Sequence, residues 1–286
     1  MACQLPVDCL NEIFEYLEMD KSTLHSCLLV NRLWCEISVR ILWRNALNFN
    51  LYLKRPSNIY LSIIRALIAC LPYESKNLLH NNGNFISTLT SKPLLFNYAS
   101  FCKALSISEI CIMIDHFFKN SKSLVANEII EMLANQISSL KKLSYYHIDG
   151  FNISFPHFPG ARDLSELYCN SDLPSDFFYQ LSQICHNLQS ISVNFCTNSV
   201  INELKDLISS QNNLKNLDLT AFYGGSWTDI VPAITKHSHT ITKLKLNSGY
   251  RISSFSFISS FSNLQELTFS FYGGVTGDVL EDFIKL

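Results

Sequence analysis

The chain has 286 residues, 48% hydrophobic, 16% charged and 12% aromatic, with 22 basic and 24 acidic side chains and a net charge of -2. Apolar content at this level excludes a disordered chain and allows one large or two modest domains. The charge balance excludes the basic surplus expected of a nucleic-acid binder or of a segment held to an anionic membrane.

The N-terminus, MACQLPVDCLNEIF, lacks a basic stretch followed by an apolar run, so no secretory signal is expected. Leu10, Ile13, Phe14 and Leu17 recur at helical spacing after Leu5-Pro6. Pro6 suits a helix start, and Asp8 favours the positive end of the helix dipole. A second apolar helix carries Leu24, Cys27, Leu28 and Val30, and a third runs from Leu33-Trp34 to Leu42-Trp43. Roughly 40 residues is near the lower limit for a core that folds unaided, so the spacing allows either an apolar face covered by a partner or a helical subdomain packed only on its own chain.

The residues LPVDCLNEIFEYLEMDKSTLHSCLLVNRLWCEISVRILWR resemble the F-box motif along its whole length, from the opening Leu-Pro to the closing Leu-Trp-Arg. The resemblance implies docking on the Skp linker of an SCF ubiquitin ligase and, through it, on a cullin. It assigns Leu5, Pro6, Leu10, Ile13, Val30 and Trp34 to the Skp contact or to shaping it. Phe14, Leu17, Leu28 and Leu33 are assigned to the core. Lys21-Ser22, after Asp20, departs from the apolar residue often found there.

Residues 1–44 are thus expected to be the F-box and 45–100 a helical collar. Pro56 opens and Pro72 closes an apolar helix, with Ile59, Ile63, Ile64, Leu67, Ile68 and Leu71 expected inward. Its Ile59–Leu71 run contains Arg65 and falls short of the roughly 20 apolar residues that span a bilayer. A second helix, Tyr73 to His80, is expected to stop at Asn81-Asn82-Gly83. The layout through SKPLLFNYASFCKALSI is similar to a fungal F-box family with degenerate leucine-rich repeats.

Residues 101–286 read as a leucine-rich-repeat solenoid. Six segments fit L-x-x-L-x-L with conservative replacements: Leu140/Leu143/Tyr145, Leu164/Leu167/Cys169, Leu188/Ile191/Val193, Leu214/Leu217/Leu219, Ile241/Leu244/Leu246 and Leu264/Leu267/Phe269. Their first positions recur at intervals of roughly 25 residues, the period of this repeat. An earlier strand, Leu105–Ile107, opens the array. Helical faces follow at Val125–Ile137, Phe177–Ile184 and Val200–Ile208, whereas FNISFPHFPG should be a loop. The family's Asn/Cys position after the strand survives only at Cys196 and in a weaker form at Asp172. The fold class is α/β: a three-helix F-box followed by a curved solenoid with a parallel concave sheet.

Because strand side chains alternate, the residues between the leucines should line the concave side. The candidate substrate-binding set there is Lys142, Tyr146, Glu166, Tyr168, Asn170, Asn194, Asn216, Asp218, Lys243, Lys245 and Glu266. Two copies of Phe-Tyr-Gly-Gly, at 222–225 and 271–274, read as matched turns. Ten cysteines show no C-x-x-C pair, so reduced, mostly buried thiols are expected, and His237-Ser-His239 lacks the further ligands of a zinc site. No metal or other cofactor is expected. G-x-S-x-G, H-E-x-x-H, Walker and G-x-G-x-x-G motifs are absent, which points to a non-catalytic adaptor. Thr276–Leu286 reads as a helix that stops where another strand would begin, the expectation for a truncated product or an end covered by a partner.

These features imply the substrate-recognition subunit of an SCF ligase, cytoplasmic or nuclear, binding a protein substrate and neither nucleic acid nor membrane. The alternative is a leucine-rich-repeat scaffold that uses the same surfaces outside a ligase.

Overall fold

The computed structural model describes residues 5–48, 56–83, 94–118, 121–196, 202–222, 226–248 and 255–271. Two compact units emerge: Met1–Ser138 with Gly150–Pro156, and Ser139–Asp149 with His157–Leu286. The first unit therefore extends past the expected collar and takes in the start of the expected solenoid.

The first unit begins with α1 (Val7–Glu15), α2 (Lys21–Cys27) and α3 (Arg32–Arg44). Pro6 sits one residue before the first turn, and its carbonyl accepts the Leu10 N–H at 3.1 Å. Asp20 caps α2 by accepting from the Thr23 N–H at 3.0 Å and the Thr23 hydroxyl at 2.6 Å. These bonds hold the Asp20 carboxyl below its usual range. Asn31 caps α3 in the same way, through the Trp34 N–H at 2.9 Å. Such side chains satisfy donors that the first helical turn leaves open.

Leu10, Phe14, Leu24, Cys27, Ile37 and Ile41 form the core of these three helices, with Leu17, Leu33, Trp34 and Leu42 packed against it. Arg44 closes the bundle with a bidentate pair to Glu15, both distances 2.6 Å, and lies 3.5 Å from Glu18. The hydrogen bond from Arg44 holds the Glu15 carboxyl below its usual value. Backbone bonds then tie the end of the bundle to β1 (Ala104–Ser106): Lys103 N–H donates to the Arg44 carbonyl at 2.8 Å, and Ser106 N–H to the Leu47 carbonyl at 2.9 Å.

Helices α4 (Ser57–Cys70) and α5 (Tyr73–Asn81) follow. The second ends at Gly83, whose φ of 79° is a left-handed conformation that glycine adopts without a Cβ clash. One expectation is corrected here. Ile59 is exposed and Ile63 only half-buried, and the inward face of α4 is Tyr60, Ile64, Leu67 and Ile68. The inward face lies opposite the exposed polar stripe of Asn58, Ser62 and Arg65, and Ile59 and Ile63 fall between the two. β1 runs directly into α6 (Ile107–Phe117), whose start is capped by the Ser106 hydroxyl accepting from the Glu109 N–H at 3.3 Å. Helix α7 (Lys122–Gln136) packs against α6 and is the long helix expected near Val125–Ile137.

The second unit holds β2 (Lys142–Tyr145), β3 (Glu166–Asn170), β4 (Ser190–Phe195), β5 (Asn216–Ala221), β6 (Lys243–Ser248) and β7 (Glu266–Phe271). Each pairs in parallel with the next in sequence. Leu143, Leu167, Ile191, Leu217, Leu244 and Leu267 fall in one register row, so the repeat phase read from the leucines is the register of the sheet. Parallel neighbours require a crossover. Helices α8 (Ser175–Ile184), α9 (Asn202–Ser209) and the short α10 (Val231–Thr235) supply three of them, burying Phe177, Phe178, Leu181, Leu204, Leu207, Ile208 and Ile234. The 151–160 stretch forms no α-helix, and a 3-10 turn, Pro159–Asp163, leads into β3. The described chain is thus a helical N-terminal region followed by parallel strands with helices, an arrangement consistent with a solenoid-like repeat.

The repeats are joined on their helical side by side chains at the evenly spaced positions 185, 211, 237 and 263. Cys185 donates its thiol to the Ala161 carbonyl at 3.0 Å. Gln211 accepts from the Leu188 N–H at 3.0 Å and donates to the carbonyls of Cys185 and Leu207 at 2.8 and 2.7 Å. His237 Nε2 lies 2.7 Å from the Ile208 carbonyl, and Asn263 donates to the His239 carbonyl at 2.6 Å. These residues, rather than Cys196 or Asp172, carry the inter-repeat polar contacts, since Cys196 and Asp172 are both exposed.

Burial of His237 lowers its pKa from the ordinary 6.5, because a charged imidazole loses solvation there. The folded state therefore resists the proton that the unfolded chain accepts near 6.5. The resulting stability is full above that pH and declines as pH falls from it through the lowered folded value. Unfolding free energy measured between about pH 8 and 5 should fall along this limb, and His237→Gln should flatten it while keeping an N–H donor. An unchanged slope in the variant would remove His237 from the pH response.

Candidate functional site

Two surfaces, one on each unit, carry the residues singled out in the sequence. On the first unit, Leu5, Pro6, Val7, Ile13, Val30 and Leu29 are exposed, although all but the proline are large aliphatics. Val7 and Ile13 lie on α1 beside the buried Leu10 and Phe14, Leu5 and Pro6 precede that helix, and Leu29 and Val30 lie between α2 and α3. Leu10 belongs to the buried side at 5% exposure, so it is a core residue rather than part of the outward patch. Trp34 is half-buried and packs edge-on against Phe14, with centroids 5.1 Å apart and planes at 87°. It can shape the patch through Phe14 and is not itself fully presented. Val7, Tyr16, Met19 and Leu29 were not singled out in the sequence. Tyr16 and Met19 stand 89% and 92% exposed around the end of α1. A large apolar residue directly beside a turn was the available signal.

On the second unit the inward and outward sets separate as the alternation requires. Leu143, Leu167, Cys169, Ile191, Val193, Leu217, Leu219, Leu244 and Leu246 are buried, and the eleven candidate positions are all half-buried or exposed. Leu267 departs from this pattern at 36% exposure. The outward side chains form register rows across the strands. One row is Lys142, Glu166, Ser190, Asn216, Lys243 and Glu266, and the next is Ser144, Tyr168, Ser192, Asp218, Lys245 and Thr268. A third holds Asn170, Asn194, Thr220, Asn247 and Ser270. Tyr146 lies just beyond β2 and is half-buried.

Charges on these rows are paired. Lys142 lies 3.2 Å from Glu166 and 4.5 Å from the centroid of the Tyr168 ring, and the Tyr168 hydroxyl donates to Glu166 at 3.1 Å. Burial pushes the Tyr168 phenol up, against the lowering effect of Lys142, so it stays a donor. Lys245 meets Asp218 at 3.1 Å, and Lys243 meets Glu266 at 2.8 Å. Asn247 donates to the Thr220 hydroxyl oxygen at 3.0 Å. Ser190, Asn216, Asp218, Lys243, Lys245 and Glu266 line an open depression on this face.

The two histidines considered as metal ligands are committed elsewhere, His237 to the Ile208 carbonyl and His239 to the Ser262 hydroxyl at 2.9 Å. Among the described residues no cluster of three metal-ligating side chains occurs, and no helix is long and apolar enough to cross a membrane. The second Phe-Tyr-Gly-Gly turn beyond Phe271, the glycines of the first, and the Thr276–Leu286 helix lie outside the described residues.

No curated protein matches the chain. The F-box-like family model matches residues 2–48, the span of the three-helix bundle and its exposed apolar patch. Domains of this kind typically bind Skp linkers. The N-terminal bundle is an F-box-like domain.

Proposed function

We propose that the chain is a substrate-recognition subunit of an SCF ubiquitin ligase, its F-box-like domain docking on a Skp linker and through it on a cullin. The outward face of the second unit's sheet, read as the concave face of a leucine-rich-repeat array, binds the protein to be ubiquitylated. The subunit does no covalent chemistry. It holds a substrate near a charged conjugating enzyme and so raises the effective concentration of the reacting groups.

The observation that carries this reading is the coincidence of the F-box-like match with the exposed apolar residues Leu5, Pro6, Ile13 and Val30. A compartment that keeps thiols reduced, cytoplasm or nucleus, suits the free cysteines. Burial pushes the thiols of Cys102, Cys111 and Cys185 up to about 12, so they stay protonated and unreactive.

Leu5→Ala with Pro6→Ala tests the docking. Both side chains are exposed, so the fold should be retained. Removing apolar contacts worth about 1.5–3 kcal/mol for a buried leucine should weaken linker binding at least tenfold. Binding of purified Skp, measured by titration calorimetry, reads the loss. Wild-type affinity in the double variant would sink the docking assignment, and a linker complex that recruits no cullin would favour the scaffold role.

A further inference from the structure

The outward face of the sheet divides into two chemically different sets. All six charged side chains on its three rows are taken up in pairs, Lys142 with Glu166, Lys245 with Asp218 and Lys243 with Glu266. No arginine stands on these rows. The neutral set is open. Asn170 and Asn194 are neighbours in register, both half-buried, and among the described residues neither carboxamide has a hydrogen-bond partner. They flank the buried column of Cys169 and Val193, which fixes the backbone that presents them.

These two sets favour different ligands. A phosphate-bearing segment is typically read by clustered arginines that offer several unpaired donors. Here an approaching anion meets a carboxylate beside every lysine, so attraction and repulsion nearly cancel. A carboxamide offers two donors and an acceptor oxygen, a match for the N–H and C=O of a peptide backbone. Neighbouring strands set two such groups about 4.8 Å apart. A backbone needs no charge to use them.

Building on the substrate-receptor reading, we propose that this face recognises an extended, unphosphorylated segment of low charge in the substrate protein. Asn170 and Asn194 hydrogen-bond the segment's backbone. The Tyr168 ring, held between Lys142 and Glu166, packs against its side chains. The paired charges on either side turn away charged residues of both signs, since a bound charge would have to displace an existing partner.

The test uses the full chain in complex with Skp. Its probes are two immobilised pools of short peptides of matched random sequence, one unmodified and one with a central phosphoserine. The wild type should retain the unmodified pool in preference, with less than about threefold change in retention between about 0.1 and 1 M salt, because exposed charges are screened over that range and contribute little here. Asn170→Leu with Asn194→Leu should lower retention about tenfold, the loss of one or two hydrogen bonds left without a partner. Glu166→Gln with Asp218→Asn frees Lys142 and Lys245 and should raise retention of the phosphorylated pool.

Preference of the wild type for the phosphorylated pool overturns the proposal, as does retention of neither pool. If the asparagine variant binds normally while Tyr168→Ala does not, the asparagine reading fails and the substrate face stands. If neither variant changes retention of the unmodified pool, the substrate face itself is misplaced.

Discussion

Phe14→Ala is expected to abolish linker docking by unfolding the N-terminal bundle, without touching the docking patch itself. Phe14 is 2% exposed, sits at the centre of the bundle core and stacks edge-on against Trp34. Truncating a buried phenylalanine to alanine removes about 3–5 kcal/mol through lost transfer energy and the cavity left behind. A bundle of roughly 40 residues has little stability to spare against such a loss. Hydrogen exchange read by mass spectrometry should show protection lost across α1, α2 and α3, along with linker binding. The Leu5/Pro6 double variant should lose the binding and keep the protection. This contrast separates a core residue from a contact residue, and it should place Leu10 with Phe14 on the core side. Native protection in Phe14→Ala would contradict the packing described above.

Gln211→Ala is the second large effect expected, and it falls mainly on hydrogen bonds rather than on apolar packing. The side chain is 5% exposed and serves three backbone groups: the Leu188 N–H and the carbonyls of Cys185 and Leu207. Alanine leaves the Leu188 donor and the Cys185 acceptor buried and unpaired, at about 1–3 kcal/mol each, so a loss of about 2–6 kcal/mol is expected. Gln211→Glu should be no better, because it keeps an acceptor but turns a carboxylate toward two carbonyl oxygens. Urea unfolding should show a lower midpoint with an unchanged slope, the sign of altered stability rather than altered compactness. A loss below about 0.5 kcal/mol would mean that water replaces the carboxamide at no penalty.

Much of the molecule could be read from residue spacing, for identifiable physical reasons. Period-2 alternation around the leucines places Leu167, Ile191, Leu217 and Leu244 in one register row because a one-residue slip would turn every leucine to solvent. The same alternation locates the outward candidates. It carries no information on which of them pair, since Lys142, Glu166 and Tyr168 come together only when adjacent strands are in place.

Apolar spacing alone did not place residues at the border between the buried and exposed faces of a helix. On α4 the inward position belongs to Tyr60 rather than Ile59, and on α1 Leu10 and Ile13 point to opposite fates, core and surface. Helix α6 was hidden inside the nearly continuous apolar run after β1, which reads equally as strand or helix. Gln211 draws no expectation from the sequence, and His237 is weighed there only as a metal ligand. Their signal lay in the even spacing of hydrogen-bonding residues at 185, 211, 237 and 263, which aligning on the leucines alone does not bring out because their distance from the following leucine varies.

The clamps on the helical side all run in one direction. Cys185 reaches back to Ala161, Gln211 to Cys185, His237 to Ile208 and Asn263 to His239. Each block therefore carries its own donor toward its predecessor and leaves an acceptor for its successor. The clamps reach different atoms, one bond each for Cys185, His237 and Asn263 but three for Gln211, so a duplicated or deleted block would have to re-pair its polar groups at the seam. Such a change alters the outward rows by one column and also their charge pairing, because Lys142–Glu166, Asp218–Lys245 and Lys243–Glu266 each span two adjacent strands. The breadth of this outward face and its charge pattern therefore change together.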